Sequence, residues 1–70
     1  MVLWRVKELK NSNGYIIQDS DCDNITELEN ENNAKLYYYS VSNKNFRTRL
    51  EEKINGKWEY RMGSCNSKFA

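Results

Sequence analysis

The second half of the chain is organised as three short runs that read as strands: Leu36–Ser42, Phe46–Ile54 and Trp58–Met62. Apolar and polar residues exchange along them with the two-residue period of a half-buried strand. Asn43-Lys44 and Asn55-Gly56 separate the runs, and Asn-Gly tolerates the positive φ that tight hairpins require. The pattern predicts a β-meander. Phe46, Leu50 and Ile54 also recur every four residues, as on a helix, but Thr48 and the bounding turns favour a strand.

The first half is less regular. Val2, Trp4 and Val6 share one parity, with Arg5 and Lys7 between them, which predicts a strand. Asn11-Ser12-Asn13-Gly14 then reads as a turn and Tyr15-Ile16-Ile17-Gln18 as the returning strand of a hairpin. Around residues 24–34, Asn24 with Glu27 three positions on has the form of a capping box for a short helix. An edge strand over Ile25-Thr26-Glu27-Leu28-Glu29 competes with it. The helix is preferred, because the acidic residues suit its N-terminal dipole. The expected fold is therefore α+β and mainly β. It is a small antiparallel β-meander of about five strands, as an open sheet or an SH3-like barrel, with one short helix at about 24–34.

Turn lengths fix the expected register. A two-residue Asn43-Lys44 loop sets Val41 opposite Phe46, Tyr39 opposite Thr48 and Tyr37 opposite Leu50. A two-residue Asn55-Gly56 loop would set Leu50 opposite Arg61 and mix charge into the apolar face. A three-residue Ile54-Asn55-Gly56 loop with a bulge pairs Leu50 with Tyr60 instead, so the pattern selects it. The core face is then Tyr37, Tyr39, Val41, Phe46, Leu50, Ile54, Trp58, Tyr60 and Met62. The opposite face carries Tyr38, Arg49 and Arg61 in one row, with Arg47 and Lys53 nearby. Aromatic and guanidinium groups of that kind stack on bases or grip an acidic protein surface. Glu51 and Glu59 beside them would pair with the arginines and leave an ordinary salt-laced surface.

A second candidate surface is acidic. Asp19, Asp21, Asp23, Glu27, Glu29 and Glu31 fall within thirteen residues that contain no basic side chain. Asp19-Ser20-Asp21-Cys22-Asp23-Asn24 resembles the opening of an EF-hand calcium loop, where oxygen ligands on alternate residues converge on one cation. Asn24 stands where that loop needs glycine, and Asn30 where it needs a bidentate glutamate. From Lys44 to Ala70 the balance reverses, with seven basic residues against three acidic. The whole chain stays near neutral at +1, unlike most nucleic-acid binders.

Seventy residues leave room for one core. One domain is expected at 1–62, with a loose tail at 63–70. A domain this small gains stability from cross-links, metals or self-association, which leaves homodimerisation open. Cys22 and Cys65 allow a single bridge, and in a reducing cytoplasm both stay free. With charge at every second position, the N-terminal stretch does not resemble a signal peptide, and no apolar run is long enough for a membrane. A cytoplasmic location is expected. The ten asparagines and the lack of proline suit the coding bias of a bacteriophage or a low-GC bacterium.

Chemistry is poorly provided for. The sequence has no histidine, no Gly-rich phosphate loop and no cysteine beside an activating partner. No enzyme activity and no cofactor are expected. The leading expectation is a protein-binding module, an inhibitor or modulator acting on a host or cognate protein. Its contact residues would be Tyr38, Arg47, Arg49, Arg61, Asp19, Asp21, Asp23 and Glu27. A small nucleic-acid-binding sheet using the Tyr/Arg face is the alternative, and a calcium-binding acidic loop the third reading.

Overall fold

Trp4–Leu9 forms strand β1, and all six of its residues are buried, so both faces of the sheet must be covered. The computed structural model describes residues 2–70; Met1, the first residue of the expected domain, lies outside them. Asn24–Leu28 forms β2, Glu31–Ser42 the helix α1, Arg47–Ile54 β3 and Lys57–Cys65 β4. The sheet order is β2-β1-β3-β4, with every neighbouring pair antiparallel. Strands β2 and β3 therefore run parallel on either side of β1, and α1 makes the crossover that parallel strands require. The fold is α+β and mainly strand, as expected. The sheet is open and has four strands rather than about five.

One cover is the helix. Trp4, Val6 and Leu50 from the sheet pack against Ala34 and Tyr38 from α1, with Val41 partly buried beside them. Positions 34, 38 and 41 make a single helical stripe. Asn30 caps α1 by accepting the Asn33 N–H at 2.8 Å. Glu31 and Lys35 pair at 2.6 Å one turn apart on its surface. Beneath the helix's C-terminal end, the Asn45 amide donates to Glu8 Oε1 at 3.1 Å and to the Val41 carbonyl at 2.8 Å. Tyr37 donates to the other Glu8 oxygen at 3.2 Å. The fully buried carboxylate thus has donors for both oxygens, as its burial demands.

The second cover is a strap, residues 10–23, lying across the opposite face. Ile16 packs with Leu9 and Phe46 in a separate small cluster, joined by Cys22 and Phe69. The strap is pinned at both ends of its loop. The Lys10 N–H donates to Asp23 Oδ2 at 2.6 Å, and the Asp23 N–H to the Glu8 carbonyl at 2.8 Å. Within it, Asp21 accepts the N–H groups of Ile17 and Gln18 at 3.1 and 2.9 Å and holds a short 3₁₀ turn at Asp19–Asp21.

Several sequence expectations are corrected. Leu36–Ser42 is the C-terminal part of α1, not a strand, so Asn43-Lys44 is a helix end rather than a hairpin loop. The helix starts at Glu31, and the first part of the 24–34 segment, Asn24–Leu28, is the edge strand β2 instead. Tyr15–Gln18 forms no strand, because β2 takes the place beside β1 expected for it. Asn55-Gly56 is a two-residue turn with positive φ at both positions, 51° and 78°, flanked by Ile54 opposite Lys57. The turn sets Glu51 opposite Tyr60, and the clash of register is absorbed just beyond, where a bulge at Arg61 lets Leu50 face Met62 instead of Arg61. Gly63–Cys65 continue β4, and Phe69 docks on the strap cluster, where a loose tail was expected.

Candidate cation–aromatic binding face

The strand period decides what the strap side of the sheet presents. Arg5 and Lys7 lie opposite Glu51 and Arg49, and Lys53 lies opposite Trp58, so these side chains share that face with Arg47 and Tyr60. The two-residue Asn55-Gly56 turn is what puts Trp58 and Tyr60 there rather than in the helix-side core, and the bulge at Arg61 returns Met62 to the helix side.

Charge on this face is layered by depth. Glu51 accepts Arg5 Nε at 2.6 Å and pairs with Arg49 Nε at 2.7 Å, the latter as an ion contact rather than an aligned hydrogen bond. Lys7, with a side chain only 3 % exposed, donates to Asp19 at 3.0 Å, and Arg5 reaches the same carboxylate at 3.2 Å. The Lys7 hydrogen bond, with the charges of Lys7 and Arg5, outweighs desolvation and holds the Asp19 carboxyl below its usual range. The inner cations are thus neutralised. Burial pushes the Cys22 thiol up on the same side.

The outer cations sit on aromatic rings. The Arg47 guanidinium lies 4.2 Å from the Tyr15 ring centre and 5.1 Å from that of Phe46, and its Nε donates to the Gly14 carbonyl at 2.8 Å. Arg49 lies 4.9 Å over Tyr60, and Arg5 4.3 Å over Trp58. Among the described residues no carboxylate pairs with Arg47. Between the two stacks runs a cleft of about 310 Å³, lined also by Gly63, Ser64 and Cys65 of β4. A methyl group on Gly63 would come within 2.7 Å of the Tyr60 hydroxyl, so glycine there lets the tyrosine ring lie on the strand. Tyr15 and Tyr60 remain 66 % and 54 % exposed.

The expected site residues are distributed unevenly around this cleft. Arg47 and Arg49 line it. Tyr38 does not: it lies on α1, 3 % exposed in the helix-side core, because its segment is helical. Arg61 does not either, since the bulge turns it to Glu52, which it contacts at 2.9 Å. Asp19 holds Lys7 and Arg5 of β1, whereas Asp21 and Asp23 accept backbone N–H groups within the strap. No group of three acidic, cysteine or histidine side chains suited to a metal occurs among the described residues. Glu27 is exposed on the β2 edge, away from the cleft. The sequence pattern places Tyr60 in the core and Tyr15 in a strand, which hides both rings. The readable signal was Gly63, a glycine within a strand, which marks a close approach. No helix of the described residues is long and apolar enough to cross a membrane. No family model matches the chain, nor does any curated protein or solved structure.

Proposed function

We infer that the chain is a non-catalytic protein-binding module that engages a host or cognate protein through the Tyr15–Arg47–Arg49–Tyr60 face. The observation that carries this reading is the pair of exposed tyrosine–arginine stacks beside the cleft. Tyrosine and arginine are the residue types that dominate binding energy at protein interfaces, being large, rigid and able to bond at their tips. The stacks also hold the guanidinium groups in place before a partner arrives, which lowers the entropy lost on binding. An inhibitor or modulator role in a reducing cytoplasm, with both cysteines free, belongs to the same proposal.

The test is affinity capture from a candidate host lysate by the intact chain, run in parallel with Arg47→Glu and Tyr60→Ala variants. A stoichiometric partner held by the native chain and lost with both variants is expected. Equal recovery by all three would show that this face is not the contact surface.

A second reading is single-stranded nucleic acid, favoured by one feature: exposed rings beside cations are stacking platforms for bases. It predicts oligonucleotide binding that weakens steeply with salt. Anisotropy of a labelled oligothymidylate that stays flat at low salt would remove it.

A further inference from the structure

The cleft adjoins a strand edge that no other strand covers among the described residues. Strand β4 is the outer member of the sheet, and most of its residues are exposed. In a two-residue hairpin the pair next to the turn is hydrogen-bonded, and bonded pairs then alternate with non-bonded ones. Ile54–Lys57 and Glu52–Glu59 are therefore bonded pairs, while Lys53–Trp58 and Glu51–Tyr60 are not. It follows that Trp58 and Tyr60 turn their backbone N–H and C=O groups outward, away from β3. The same two residues present their rings on the cleft side.

We propose, building on the protein-binding reading, that the partner is an acidic peptide segment in extended conformation. It adds as a fifth strand along β4 and places a glutamate or aspartate side chain between Arg47 and Arg49. Three observations converge on it. The outward backbone groups of Trp58 and Tyr60 alternate donor and acceptor at the strand repeat, which an extended peptide chain matches group for group. Arg47 has no carboxylate partner among the described residues, and Arg49 shares Glu51 with Arg5, so the cleft has unmatched positive charge. An added strand would lie about 9.5 Å from β3, two strand spacings, which a carboxylate and a guanidinium reaching toward each other can span. A polyanion is less well served. The inner cations are already neutralised by Asp19 and Glu51, and the chain's net charge is only +1.

The bulge at Arg61 limits the added strand to the stretches on either side of it. It also discourages indefinite edge-to-edge pairing. Specificity would come from the partner's alternate side chains: one carboxylate for the arginines, and an apolar or aromatic neighbour for Tyr60.

The experiment is a titration of the ¹⁵N-labelled chain with an acetylated, amidated peptide of alternating threonine and glutamate, raised to millimolar concentration. Three controls accompany it: the same peptide with glutamine for glutamate, one N-methylated at alternate backbone positions, and an oligothymidylate. Expected are amide shifts along Trp58, Tyr60, Gly63, Ser64 and Cys65. Affinity should fall about tenfold or more with glutamine in the peptide or with Arg47→Ala in the protein. N-methylation should abolish the β4 shifts, and Gly63→Val should weaken binding by expelling the Tyr60 ring while leaving every charge in place. The amide spectrum of each variant shows whether it is folded.

Shifts at the arginine side chains without shifts along β4 would overturn strand addition. So would binding indifferent to N-methylation, or the absence of any shift. If a captured partner still depends on Arg47 and Tyr60 while the peptides fail, the face binds a folded surface and only this inference is lost. Oligothymidylate binding in place of peptide binding overturns both.

Discussion

Glu51 is where the arginine-bearing face meets the body of the sheet. Its carboxylate is almost fully buried and holds both Arg5 and Arg49. Glu51→Ala would leave Arg5, itself only 11 % exposed, without its closest anion, although Asp19 still reaches one of its nitrogens. Breaking a buried pair from one side is strongly destabilising, so the loss should be about 3 kcal/mol, the low end of the usual range. Glu52→Ala is the contrast. Its pair with Arg61 is exposed, and the loss should stay within about 1 kcal/mol. Urea denaturation of the two variants checks the difference, and equal losses would show that Glu51 has no special place. At this scale the sequence was readable where strand parity alone decides, as for Arg47 and Arg49 on the face away from Leu50. It was not readable where a side chain's side of the sheet depends on the length of a turn. Trp58 and Tyr60 are expected among the core residues because the pattern selects a three-residue loop at Ile54-Asn55-Gly56, and Arg61 on the exposed row for the same reason.

Among the elements, α1 shows how local preference misleads. Its sequence Leu-Tyr-Tyr-Tyr-Ser-Val-Ser is rich in strand-forming types, yet it folds as helix because Ala34, Tyr38 and Val41 fall on one stripe over the sheet. A helix also lets the chain cross from β2 to β3 over β1, which a hairpin cannot do. The capping motif expected at Asn24 is realised six residues later at Asn30. Asn30→Ala should therefore destabilise the fold by about 1 kcal/mol. Asn24→Ala, which removes only a 3.5 Å contact to Glu8, should do distinctly less. Thermal melts of both variants, with helicity followed at 222 nm as the usual α-helical signal, check the assignment; the reverse order would move the cap. The Asn55-Gly56 dipeptide carries the signal of a two-residue turn, yet the pattern selects a three-residue loop in its place, because pairing beyond it is assumed to stay regular.

The whole molecule is a sheet between two unequal covers. The helix side buries Trp4, Val6, Ala34, Tyr38 and Leu50 together, whereas the strap side rests on the smaller cluster of Leu9, Ile16 and Phe46 and on charged contacts. Local opening follows the lower density of buried apolar contacts, so the strap should open without global unfolding. Amide exchange at Ile16, Ile17 and Gln18 should then be much faster than at Val6 and Leu50. Acid should widen the gap. The Asp19 carboxyl is held below its ordinary value of 3.8 by the Lys7 hydrogen bond and the charges of Lys7 and Arg5. A depressed carboxylate stabilises the closed state fully above that ordinary value, and the contribution is lost as pH falls through the lowered one. Strap exchange, corrected for the intrinsic effect of pH, should accelerate below about pH 4 while the centre of the sheet stays protected. Asp19→Asn should show the faster opening already at neutral pH and lose this component of the pH dependence. Because Ile16 and Tyr15 line the cleft, the same opening should weaken binding there. Exchange that rises equally in strap and sheet would show instead that the two covers unfold as one unit.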